Sequence, residues 1–230
     1  MGLYERDYAR NGFSVNTGNE STIIAFIKET YKLFGASMLA GAAGAYVGIP
    51  LAQSISSMSL MLFIVEIGLL IGLFVYKKTP GLNLALLFGF TFMTGITIAP
   101  LLSNILNMVG GGAIVGNAFA MTSVVFGSMS LFAIKTKQDF TGYGKPLMIS
   151  MIVIIVFSLI NAFVLHNPIM SIIISGVVTL LFSIMVVFDT QNIIKGNYET
   201  PIEGAVALYI DFLNIFTSLL HLFGIFDSDD

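Results

Sequence analysis

From residue 31 onward the chain alternates long apolar runs with short polar breaks. Seven runs stand out, at 31–52, 57–76, 82–102, 113–134, 147–166, 169–190 and 204–225. Each approaches or exceeds the about 20 residues an α-helix needs to cross ~30 Å of hydrocarbon at about 1.5 Å per residue. The breaks carry turn chemistry: "KKTPG" at 77–81, "GGG" at 110–112, "FTGYGKP" at 140–146 and "HNP" at 166–168. The stretch 1–20 is polar and aperiodic, and it lacks the charged, apolar and cleavage regions of a signal peptide, so the first run is expected to be retained. The pattern predicts an all-α integral membrane protein with seven transmembrane helices. Its expected parts are a mobile tail at 1–25, a membrane domain at 26–226 and an acidic tail at 227–230.

Composition supports the choice of solvent. The 230 residues are 56% hydrophobic and 10% charged, with a mean hydropathy of +0.92. Soluble domains carry roughly a quarter charged residues. There is no cysteine, which removes disulfides, thiolate metal sites and thiol nucleophiles. A basic stripe for nucleic acid is also missing, and the twelve methionines are scattered through the spans as packing.

The placement of charge then orients the chain. Arg6, Arg10, Lys28 and Lys32 precede or begin the first span. Lys77 and Lys78 separate spans 2 and 3; Lys135, Lys137 and Lys145 separate spans 4 and 5; Lys195 separates spans 6 and 7. These account for all ten basic residues, and none falls on the opposite side. By the positive-inside rule the N-terminus is cytoplasmic and the acidic C-terminus outside.

Small residues four apart predict close helix contacts. Span 1 has Ser37, Gly41 and Ala45 on one ridge and Ala40, Gly44 and Gly48 on the next; span 2 has Gly68 and Gly72. Four ionisable residues remain within or at the edge of spans: Glu66, Asp189, Asp211 and His221. A charge at the bilayer centre costs about 2.5–3.5 kcal/mol on the insertion scale, so such groups face the bundle interior. On span 7, Asp211, Asn214, Ser218 and His221 fall within an arc of about 100°, and on span 6 Ser171, Ser175, Thr179, Ser183 and Asp189 fall within about 120°. The two polar faces are expected to meet. Asp189 lies near the cytoplasmic end of its span and Asp211 about 12 Å into the next, so a contact between them is sterically reasonable. Two carboxyls in a poorly solvated site cannot both ionise cheaply and can share a proton. Such a pair is a candidate proton sensor, a candidate Ca²⁺ site, or a plain hydrogen-bonded clasp. Glu66 shares a face of span 2 with Ser59 and Lys77, and His221 reads as a hydrogen-bonding partner between helices.

The segments "FGFTFMTGITIAPLL" at 88–102, "VVFDTQNIIKG" at 186–196 and "ALYIDFLNIFTSLLHLFG" at 207–224 together resemble the Bax inhibitor-1 family, also called the transmembrane BAX inhibitor motif family. The resemblance covers about residues 20–225. It implies six helices around a central, polar-striped seventh. It also implies a pH-sensitive calcium leak in which an aspartate pair between the last two helices, here Asp189 and Asp211, acts as sensor and gate. An acidic residue of the second helix tied to a basic residue at its cytoplasmic end corresponds to Glu66 and Lys77. His221 departs from the pattern, since many members have arginine there.

The expected function is therefore a pH-sensitive calcium-leak channel of a bacterial inner membrane. Asp189 and Asp211 would be its gate and the residues that meet Ca²⁺, and Glu66, Lys77, Asn214, Ser218 and His221 its pathway or polar network. Its partners are the lipid bilayer, Ca²⁺ and H⁺, with no tightly bound cofactor. The competing expectation is a non-conducting regulator that binds a membrane-bound AAA protease or another membrane assembly. An intramembrane hydrolase is disfavoured, because "FGSMS" at 126–130 is not a nucleophile elbow, neither histidine has an obvious serine partner at matching depth, and no HExxH motif occurs. No enzymatic activity is expected.

Overall fold

A computed structural model describes residues 17–227, and every element among them is helical. Seven helices carry the architecture: α1 (Thr17–Gly48), α2 (Ser59–Val75), α3 (Leu82–Leu106), α4 (Gly111–Lys135), α5 (Gly144–Ile160), α6 (Pro168–Lys195) and α7 (Pro201–Asp227). A 3₁₀ turn at Ile49–Leu51 and a short helix at Ala52–Ser57 join α1 to α2. By length and hydropathy six helical segments suffice to cross a membrane, while Ser59–Val75 is apolar but shorter at 17 residues.

The first helix starts well before residue 31. Ile23, Ile27, Thr30 and Phe34 recur at helical spacing, and Phe26, Ile27, Tyr31 and Phe34 pack against the core formed by α3, α4, α6 and α7. Residues 17–25, the end of the expected tail, are thus part of α1, and residues 1–16 lie outside those described.

The breaks between helices are built as their composition dictates. Gly81 and Gly110 adopt positive φ of 82° and 73° at the starts of α3 and α4, a region that favours glycine. In the "HNP" break, the Asn167 side chain accepts from the backbone N–H groups of Ile169 and Met170, and Pro168 opens the helix. Where span 5 was expected to run evenly to 166, the α-helix ends at Ile160 and a wider turn follows at Asn161–Leu165. Asn161 holds that turn: its amide donates to the Asn167 carbonyl and to Ser171 Oγ, and its oxygen accepts from Asn167 N–H.

Two interfaces position the rest. Between α1 and α3 the backbones touch. A Cβ built on Gly44 would overlap the Phe92 carbonyl, one on Gly95 the Gly41 carbonyl, and one on Gly48 would meet Ala99. The small-residue ridges of span 1 therefore match "TGITIA" of span 3 directly, the close approach that such residues permit in lipid. The Gly68–Gly72 ridge of α2 does nothing comparable, since Gly68 has no neighbour within 4 Å and Gly72 faces only the flexible Leu86 side chain.

The other organising element is α7, the most buried of the long helices. It packs mainly against α6, α1, α4 and α3, whereas α2 packs on α3 and α5 on α6. Most of α5 shows apolar side chains outward, including Met148, Ile152, Val156 and Leu159. In water such a surface would be strongly unfavourable; in lipid it is the ordinary outer face of a span.

Ion pairs tie three connections together at one end of the bundle. Lys77 Nζ lies 2.6 Å from Glu203 Oε1 and 3.0 Å from Glu199, Lys78 lies 2.9 Å from Glu199, and Lys195 lies 2.7 Å from Asp139. The segments 76–81, 136–143 and 196–200 thus share an end, the grouping the basic residues required. This is called the basic end below.

Candidate functional site

The α6–α7 interface joins the two polar faces. Asp189, near the last turns of α6, is 3% exposed, and Asp211, on α7, is 1% exposed. Their carboxyl groups are in hydrogen-bonding contact. Neither side chain has a donor hydrogen when ionised, so this contact requires a proton between them. Asp211 Oδ2 receives no hydrogen bond from another protein group. Around the pair lie Val186, Leu208, Phe212 and Ile215, all buried and apolar. An unshared pair of charges in that setting carries a large desolvation cost.

A third group completes the site. Tyr198, in the connection between α6 and α7, donates its hydroxyl to Asp189 Oδ1 at 2.6 Å. Burial, and then the neighbouring Asp189 carboxylate, push the Tyr198 phenol upward, so the hydroxyl keeps its proton. The connection is itself anchored. Glu203 Oε2 accepts from the backbone N–H groups of Glu199 and Thr200, while Oε1 takes Lys77. Thr200, Pro201 and Glu203 occupy N-cap, N1 and N3 of α7, half of a capping box. The Glu203 and Glu199 carboxylates hold the Lys77 ammonium above its ordinary range, and Lys78 and Lys77 hold Glu199 below its own.

Lys77 is therefore tied to α7 and its preceding connection, not to Glu66 as the resemblance implied. The two residues are eleven apart, about 16 Å along a helix, and Lys77 lies beyond the end of α2 where Glu203 is within reach. Glu66 instead faces Thr97 of α3, with Oε1 lacking a hydrogen-bond partner. Beside it, Tyr209 Oη contacts Thr94 Oγ1 at 2.6 Å and donates to the Thr91 carbonyl at 3.0 Å. This second polar group lies on the α3 side of α7.

Further from the basic end, Ser175 Oγ and His221 Nδ1 meet at 3.1 Å. They line a cavity of about 360 Å³ together with Asn161, Ser171, Asn214 and Ser218. Thr179 and Ser183, by contrast, turn their hydroxyls back onto carbonyls four residues earlier in α6, and Asn214 donates in the same way to Ile210. Of the sequence-predicted residues, Asp189 and Asp211 come together, Asn214, Ser218 and His221 share the cavity, and Glu66 and Lys77 stand apart from each other.

Tyr198, Glu199 and Glu203 carry roles that residue patterns left unassigned. Only Glu203 had a readable signal, the Thr-Pro-x-Glu capping pattern ahead of an apolar run; placing the start of span 7 at 204 hid it. For Ca²⁺ the donor set is small. That ion takes six to eight oxygens, and among the described residues no group of three or more acidic, histidine or cysteine side chains forms. Two carboxyls and a phenol supply at most five oxygens of their own.

Fold and surface define a polytopic helical membrane protein. A family model described as "Inhibitor of apoptosis-promoting Bax1" matches residues 24–228. An uncharacterised protein of Campylobacter jejuni is 51% identical over 99% of this chain and 100% of its own length. A Helicobacter pylori protein is 44% identical over the whole of both chains, and a Vibrio cholerae protein named as an uncharacterised membrane protein is 30% identical over 89% of this chain and 91% of its own. The chain belongs to the Bax inhibitor family.

Proposed function

We propose that the protein is a passive, proton-gated calcium leak of a bacterial inner membrane, with no enzymatic activity, its N-terminus cytoplasmic and its C-terminus outside. In this reading all seven helices span the bilayer, and α7 is the central one, with α2 and α5 completing a ring whose other members are α1, α3, α4 and α6. The single observation that carries the reading is the buried Asp189–Asp211 contact. With a proton between them the two carboxyls hold α7 against α6. A change in that protonation exchanges attraction for repulsion and biases two packings of the interface. One pKa unit of differential protonation is about 1.4 kcal/mol, enough to shift states that differ by a few kcal/mol. Two carboxylates freed from each other would also attract a divalent cation moving along the polar faces.

Calcium flux into liposomes containing the purified protein, measured from about pH 5 to 8, tests this. Wild type is expected to leak in a pH-dependent manner, and Asp189→Asn or Asp211→Asn to flatten that dependence. Flux that is absent at every pH would end the leak reading and favour a non-conducting regulator of another membrane protein.

A further inference from the structure

The cavity around His221 is separate from the aspartate pair. From Ser175 to Asp189 is about 21 Å along α6, and neither aspartate lines the cavity. Its walls come from four helices and one turn: Leu101 of α3, Ser158 of α5, Asn161 of the turn after it, Ser171 and Ser175 of α6, and Asn214, Ser218 and His221 of α7. A volume of about 360 Å³ accommodates roughly ten waters at about 30 Å³ each, and the polar walls supply the hydrogen bonds that would hold them. Hydroxyl and amide oxygens are also the ligands that replace the hydration of a hard cation.

Charge in this cavity has one source. Among the described residues, only neutral groups of α3, α5 and α6 face it, and His221 is the sole titratable side chain in its lining. His166 stands in the α5–α6 connection and is not part of the lining. Asp227, Asp229 and Asp230 follow His221 by six to nine residues; Asp229 and Asp230 lie outside the described residues.

We propose that this cavity is a water-filled access site for hydrated cations, open while His221 is neutral and closed to them by repulsion once it is protonated. What travels onward rests on the leak reading, but the site and its charge filter do not. A histidine changes charge between about pH 5 and 8, and a full charge in an open recess with low-dielectric walls alters the local concentration of a cation by about tenfold or more.

The absence of cysteine makes the test direct. Ser218→Cys, with Ser171→Cys as a second position in case the first fails to fold, is placed in sealed proteoliposomes of known orientation. It is then reacted with membrane-impermeant thiol reagents, one cationic and one anionic, of similar size. Labelling is expected from the side opposite the basic end. The ratio of cationic to anionic rates, which cancels the pH dependence of the thiol itself, is expected to fall about tenfold from pH 8 to pH 5.5. His221→Gln should abolish that fall and His166→Gln should preserve it. A cysteine that folds but does not react, that reacts only from the basic end, or that gives a pH-independent ratio overturns the proposal. Because labelling needs no transport, a positive result with no calcium flux would retain the access site and reject the leak.

Discussion

The α1–α3 and α6–α7 interfaces both run along most of a span, yet they are closed by opposite means. Between α1 and α3, Gly44, Gly48 and Gly95 bring the two helices so close that no room is left for an added Cβ. Between α6 and α7, polar side chains meet instead: Asp189 with Asp211, and Ser175 with His221. Steric contact of this kind has one solution and no dependence on solution conditions. A proton-bridged contact has two states of different charge, separated by an amount that pH sets. The proposed switch is therefore placed at α6–α7, with α1–α3 as its fixed support.

Breaking the fixed interface has the largest expected effect. Gly95→Leu drives a branched side chain into the Gly41 carbonyl and should cost about 3 kcal/mol or more, the upper range for overpacking. Thermal unfolding in detergent should show a large loss of stability at every pH tested. Gly68→Leu, at a position with no neighbour within 4 Å, should leave the melting temperature within a degree or two of wild type.

Changes at the polar interface should be smaller and should depend on pH. Tyr198→Phe removes one hydrogen bond to a carboxyl, a loss of about 1.5–3 kcal/mol if the bond is to a charged oxygen. It should alter the pH profile of stability, and of flux if flux exists, without altering the fold. A profile that merely shifts downward in parallel would assign Tyr198 a packing role alone.

The clamp at the basic end comes next. Lys77→Gln leaves Glu203 with its two backbone donors but without its ammonium partner. The melting temperature should fall, and the difference from wild type should narrow as ionic strength rises. An unchanged gap at high salt would contradict the ionic account.

The smallest effect belongs to Asp139, whose carboxyl the Lys195 ammonium, and then Thr141, hold down to about 2. Because the folded value lies below the ordinary 3.8, the pairing stabilises the folded state fully above about pH 4. That contribution fades as pH falls toward 2. Asp139→Asn should lower the melting temperature slightly at pH 7, with the difference from wild type closing only as pH falls through and below about 2. Since Asp139 is largely exposed, solvent screening keeps the difference small.

Much of this was readable along the chain, because lipid imposes one-dimensional demands. A span must be long and apolar, its charges must lie at the ends, and any acid inside it must turn away from lipid. Those demands located the helices, gathered the basic residues on one side and singled out Asp189 and Asp211, and helical periodicity put each acid on its polar face. The small-residue ridges of span 1 were likewise legible, though the pattern alone did not separate them from the idle ridge of α2. Tertiary structure decided what depends on which segments become neighbours. It gave Lys77 to Glu203 instead of Glu66, set Tyr198 on Asp189, and opened a cavity at His221 where α3 meets the last three helices. Periodicity fixes the direction of a side chain about its own axis. Partner choice is a distance between axes, and only the packed bundle supplies it.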